Sequence, residues 1–267
     1  MRKLLIFLFL LAQSMGIWAQ NAAKDMVVLP MTDTTGIAGT DLGTVKFRDK
    51  ILSSNCTYDE VIARLKAEAV EMGGNLMKIT THKKPDYWST CHRITAEVFR
   101  VTDPHLYEKM FEWSAARRLT AADFKGLPDP ADTISAAATC AGFSFATNRV
   151  TMFKSTKFFV ACEFDCTRSW MRPEFVHDSS VLQHEQTHFD IAELYARKML
   201  HAFDEEQLNV TNLNRSKDIY NHYFEEYKMR QDQYDTETDH GRDAAQQQKW
   251  KAAIATNLKE LAAYARE

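Results

Sequence analysis

Surplus positive charge is absent from this chain: 33 Lys and Arg stand against 36 Asp and Glu, a formal net charge of −3 at pH 7. Without a basic field nothing grips a phosphate backbone, which argues against nucleic-acid binding. Cysteine is sparse, five in 267 residues. No two cysteines have the CxxC spacing of a zinc ribbon or redox pair, so they read as structural. Internal repeats are missing, which excludes a repeat architecture. The apolar run at residues 4–12 is too short for a bilayer, whose crossing takes about 20 helical residues. What is present is 45% hydrophobic and 26% charged residues, enough for a packed core in roughly two domains.

Arg2 and Lys3 precede that short apolar run, and small or polar residues follow it to Ala19. This is the pattern of a signal peptide, residues 1–19, with Gln20 opening a soluble mature protein in the periplasm or outside the cell. No cysteine near the junction offers a lipid anchor. Export permits disulfides. Cys56 lies just before a helical pattern and Cys91 at the start of a strand pattern, so a Cys56–Cys91 bridge is expected. Cys140 has Cys162 or Cys166 as possible partners, and the odd count leaves at least one thiol over.

Residues 20–104 read as a small α/β module with the layout β-β-α-β-β. Strand-like segments at residues 26–29 and 43–47 precede a helix. Thr57 and Glu60 form a capping box for it, and Val61, Ile62, Leu65, Ala69 and Met72 recur at helical spacing. Gly73 and Gly74 end it, and strands follow at residues 76–80 and 94–101. The segments around Cys56–Glu60, Gly73–Ile79 and Ser89–Ile94 resemble small bacterial envelope modules related to stress-sensor lipoproteins. His82 and His92 read as ordinary polar residues, since no tight spacing joins them.

Residues 105–267 form a second unit, giving an α+β fold overall. Two strands, residues 135–147 and 157–165, suggest a hairpin. From Asp178 the chain turns helical, with breaks near residues 204–212 and Gly241, and Ser180 with Gln183 reads as the first cap. Tyr220, Tyr223, Phe224 and Tyr227 form a packing stripe.

The chemistry lies in His184-Glu185-Gln186-Thr187-His188, an HExxH sequence within the first of these helices. Composition alone gives roughly 0.02 chance matches in a chain of this length. Residues four apart on a helix differ by about 40° around the axis. Both imidazoles therefore project from one face and can hold one Zn²⁺. Glu185 beside them suits a general base for a water acidified by the metal. Asp190 and Glu193 point elsewhere on an unbroken helix. Further donors can come from His222, Glu225, Glu226, Asp235, Asp239 or His240 on a returning helix.

Trp113, Arg118-Leu119, Asp123-Phe124-Lys125-Gly126, Ser169-Trp170, the stretch from His184 to Ile191 and that from Tyr234 to Gly241 resemble a bacterial secreted family of unknown function predicted to be zinc-dependent proteases. The likeness spans roughly residues 110–255. It implies a zincin-like metallopeptidase domain with His184, His188 and His240 as zinc ligands and Glu225 or Glu226 as alternatives to His240. Glu185 and Tyr234 would be catalytic, Tyr234 through its hydroxyl, and the substrate a peptide or protein. An edge strand at residues 157–165 would align such a peptide. The contrasting reading is an envelope binding or stress-sensor protein with a structural or non-proteolytic zinc site.

Overall fold

The computed structural model describes residues 23, 25–49, 56–87, 89–147 and 156–265. The expected leader at residues 1–19 lies outside them. Contacts divide the chain into two compact units, residues 1–108 and 109–267. No described helix is long and apolar enough to cross a membrane.

In the first unit, alternating apolar residues give strands β1 (Val27–Leu29), β2 (Thr40–Lys46), β3 (Leu76–Lys83) and β4 (Arg93–Arg100), with helix α1 (Tyr58–Glu71) between β2 and β3. The sheet order is β1-β3-β4-β2, with β1 parallel to β3 and the other pairs antiparallel. The period of two sends Met77, Ile79, Ile94, Ala96 and Val98 to one face, where Val61, Leu65 and Ala69 of α1 bury against them. The Thr57–Glu60 capping box is formed: Thr57 Oγ1 accepts from the Glu60 amide, and the Glu60 carboxylate accepts from the Thr57 amide. Cys56, before that cap, is bonded to Cys91, before β4.

The second unit centres on one helix. Strands β5 (Met110–Glu112), β7 (Ala141–Thr147) and β8 (Phe158–Asp165) form a sheet ordered β5-β8-β7, and β6 (Ala137–Ala138) pairs with β9 (Trp170–Met171). Helices α2 (Ser179–Glu205), α3 (Arg215–Glu237) and α4 (Ala244–Glu260) follow. The middle of α2 packs against β7 and β8 and against α3 and α4. Every residue from Phe189 to Arg197 is consequently buried. The aromatic stripe of α3 meets Phe143 of β7 through Tyr220, Phe224 and Tyr227, as its helical spacing predicted.

Four expectations are corrected. The cap of α2 is Asp178, whose carboxylate accepts from the Ser180 and Val181 amides, rather than Ser180. The apolar segment at residues 135–147 divides into β6 and β7, which belong to different sheets. β8 lies between β5 and β7: β7 pairs it from Phe158 to Phe164 and β5 pairs its other side from Glu163 to Asp165, so those last residues cannot add a peptide strand. Cys140, Cys162 and Cys166 are thiols, without the further bridge considered from sequence. Burial pushes the Cys162 thiol well up, which keeps it inert.

The Cys56–Cys91 bridge closes a loop of sequence separation 35. Chain entropy for such a loop gives about 3 to 4 kcal/mol of stabilisation. The Cys56→Ser/Cys91→Ser variant is expected to lose that amount in chemical denaturation of the oxidised protein; an unchanged midpoint and slope would contradict the role given to the bridge.

Candidate metal centre

Helices α2 and α3 run antiparallel, and the site follows from that pairing. A step of four residues along one helix meets a step of four back along the other: His184 faces Asp235 and His188 faces Gln231. His184 Nε2, His188 Nε2 and Asp235 Oδ1 converge in a triangle with edges of 3.0, 3.0 and 3.1 Å. Among the described residues these three form the group of three or more His, Cys, Asp or Glu donors that could hold a metal ion. Donors about 2.0–2.1 Å from a tetrahedral ion stand about 3.3 Å apart, so the triangle needs little adjustment to receive one.

The far side of each imidazole is held as well. His188 Nδ1 lies 2.5 Å from Gln231 Oε1, and Gln231 Nε2 donates to the His188 carbonyl at 3.0 Å. His184 Nδ1 lies 3.2 Å from Gln247 Oε1 of α4, whose Nε2 donates to the Ser180 carbonyl at 3.2 Å. An amide oxygen only accepts, so both Nδ1 atoms carry hydrogen and both Nε2 atoms turn toward Asp235. Two lone pairs and a carboxylate oxygen cannot share this space without positive charge among them. Protons can supply it. Burial opposes charge on His188, but its Asp235 hydrogen bond and the Glu185 and Asp235 charges raise its pKa above the ordinary value. Burial likewise opposes ionisation of Asp235, yet the hydrogen bonds from His184 and His188 hold its carboxyl well below the usual range. A metal ion satisfies the same three atoms without those protons.

Glu185 follows His184 on α2. It is buried, and its Oε2 has no hydrogen-bond partner among the described residues. An uncompensated carboxylate oxygen is costly in a folded interior, so this atom marks where something else is to be met.

The third donor is Asp235, where the family resemblance implied His240. Asp235 shares a face of α3 with Gln231 and Tyr234, and that face meets α2. His240 lies beyond the helix end, its side chain 67% exposed and its Nδ1 4.0 Å from Asp235 Oδ1, at the rim of the cluster. The other acids are engaged elsewhere: Glu225 pairs with Lys228 and Glu226 with His222 along α3, and Asp239 pairs with Arg242. Tyr234 is fully buried, with its ring stacked on His184 at 4.7 Å and its hydroxyl 3.5 Å from the His184 carbonyl. It braces the imidazole; without exposure its hydroxyl does not face a substrate.

The residues around these also have defined work. Thr238 Oγ1 donates to the Tyr234 carbonyl and accepts from the Gly241 amide, closing the end of α3. Asp239, His240 and Gly241 then all have positive φ, and a Cβ on Gly241 would stand 3.0 Å from the His184 ring. The chain thus turns back over His184 at the one residue that leaves room for it. On the opposite side of α2, Gln186 Oε1 accepts from the Leu119 amide, and Asp190 Oδ1 accepts from Gln186 Nε2 and Trp113 Nε1. Asp190 is therefore an anchor for the helix. Glu193 pairs at 2.7 Å with Arg197, and both are buried.

Gln231→Leu is expected to weaken metal binding by about 10–100-fold while leaving the ligands intact, because the His188 ring loses its orienting acceptor. Metal titration checks this, and equal affinity would show that Gln231 plays no part. Gly241→Ala should cost about 1–2 kcal/mol for its left-handed backbone alone and weaken metal binding by displacing His184, read in thermal melts and titrations.

A family model described as a bacterial protein of unknown function (DUF922) matches residues 166–241. The matched span runs from the turn after β8 to the glycine over His184, so it contains both histidines, Glu185, Gln231 and Asp235. No curated protein and no solved structure matches the chain.

Proposed function

We propose that the chain is an exported zinc-dependent hydrolase that cleaves peptide bonds. The observation that carries this reading is Glu185 Oε2, without a hydrogen-bond partner among the described residues, in the residue next to the first of three converging donors. A two-nitrogen, one-oxygen donor set suits Zn²⁺, and three protein ligands are what a catalytic rather than a structural zinc site has. Bound there, zinc would supply Lewis acidity toward a water and a substrate carbonyl.

The chain's own groups divide the remaining work. His184, His188 and Asp235 would hold the ion, and Gln231 and Gln247 fix the direction of the two imidazoles. Glu185 Oε2 takes the proton of the attacking water as its oxygen bonds to the carbonyl carbon. It returns that proton to the nitrogen as the C–N bond breaks. The approach is from the side of Asp235, the least buried ligand, with His240 at the rim.

The test uses the full chain, metal analysis and a peptide-library cleavage assay. Wild type is expected to bind about one Zn²⁺ in this cluster and to cleave, and Glu185→Gln to keep the metal while losing at least about a hundred-fold in turnover. Asp235→Ala should release the metal and His240→Ala retain it. Equal turnover of wild type and Glu185→Gln would remove Glu185 from the mechanism. Bound zinc without any cleavage would favour a structural or non-proteolytic site.

A further inference from the structure

A second pair of histidines meets in the first unit. His82 is near the end of β3, where it stands opposite Ile94 of β4. His92 lies two residues before Ile94 on the same chain, so the alternation of the sheet puts both histidines on one face as diagonal neighbours. Their backbones are fixed independently: β3 is held by its ladder to β4, and the His92 amide donates to the Cys56 carbonyl at 3.1 Å, beside the Cys56–Cys91 bridge.

The result is a preset pair of nitrogens. His82 Nε2 and His92 Nδ1 are 2.8 Å apart, with the rings stacked at 5.1 Å and 28°. Tyr58, the first residue of α1, packs against both at 5.3 and 5.8 Å and restricts their rotation. Asp59 and Lys84 are the charged neighbours, of opposite sign, so the immediate field neither strongly attracts nor strongly repels a cation. Both rings are only partly buried, which leaves water access to complete a coordination shell.

We propose that His82 and His92 form a two-histidine site for a divalent late transition metal, with Cu²⁺ the preferred ion. Cis donors about 2.0 Å from a square-planar ion stand about 2.8 Å apart, whereas tetrahedral donors stand about 3.3 Å apart. The observed separation matches the first geometry, and Cu²⁺ heads the affinity order for imidazole donors. Without an ion, the same distance accommodates an N–H···N hydrogen bond between neutral rings. With one, each ring carries its hydrogen on the nitrogen facing away, and both facing lone pairs bind; no net proton is gained or lost.

The site is tested with Cu²⁺ alone on the full, oxidised chain, in a His184→Ala/His188→Ala background that removes the α2 histidines. This background is expected to bind about one Cu²⁺ with a tetragonal, two-nitrogen electron paramagnetic resonance signal, and adding His82→Gln or His92→Gln to weaken binding by at least about ten-fold. As a readout that needs no substitution at the pair, Cu²⁺ added to that background should broaden the ring signals of His82 and His92 in the NMR spectrum before those of other histidines. Absence of Cu²⁺ binding, unchanged affinity in both glutamine variants, or earlier broadening of other histidines would overturn the proposal.

Discussion

A helix buried on every side can carry polar residues only if each is answered, and α2 carries them from His184 to Arg197. The answers order the second unit. Gln186 and Asp190 take hydrogen bonds from Leu119 and Trp113. Glu193 takes Arg197, whose guanidinium also donates to the Leu258 carbonyl at the end of α4. His184 and His188 take Gln247 and Gln231. Removing one of these partners leaves a buried group unsatisfied, which costs more than the bond itself contributes.

Against that background the exceptions are what the proposed function rests on. Glu185 Oε2 is left without a partner among the described residues, on a helix whose neighbouring polar groups are nearly all met. The three atoms beside it meet too closely to be satisfied by one another without a shared cation or protons. A site prepared in this way would be oriented before an ion arrived, because the imidazoles are pinned at their far nitrogens and braced by Tyr234. The span matched by the bacterial family model takes in both histidines, Glu185, Gln231, Tyr234 and Asp235, up to the glycine that lets the chain cross over His184, and ends before Gln247.

The first unit uses a different device for a similar end. Its order comes from a four-stranded sheet, a capped helix and one disulfide, and all three act on the segment between Cys56 and His92. Antiparallel register then brings two histidines ten residues apart in sequence to 2.8 Å.

Much of this was legible in the sequence because the signals are local. The Thr57–Glu60 box, the helical period after it and the double glycine mark α1 within a few residues; alternation marks β3, β4 and β8; and the i,i+4 histidines announce a shared face. The Cys56–Cys91 pairing was readable too, since both cysteines sit at the ends of elements that a small sheet must bring together. The third donor was not. Glu225, Glu226, Asp235 and His240 are equivalent from sequence, and only the rotational phase of α3 against α2, set by packing of Tyr227 and Tyr234, turns Asp235 toward the two histidines and pairs the glutamates with Lys228 and His222 instead. Gln231 escaped notice although it lies one turn before Asp235, because an amide that orients a ligand has no motif of its own. Strand order was equally out of reach: alternation in β8 shows two faces but not which edges are paired, so its central place, like the meeting of His82 with His92, was decided by register between segments distant along the chain.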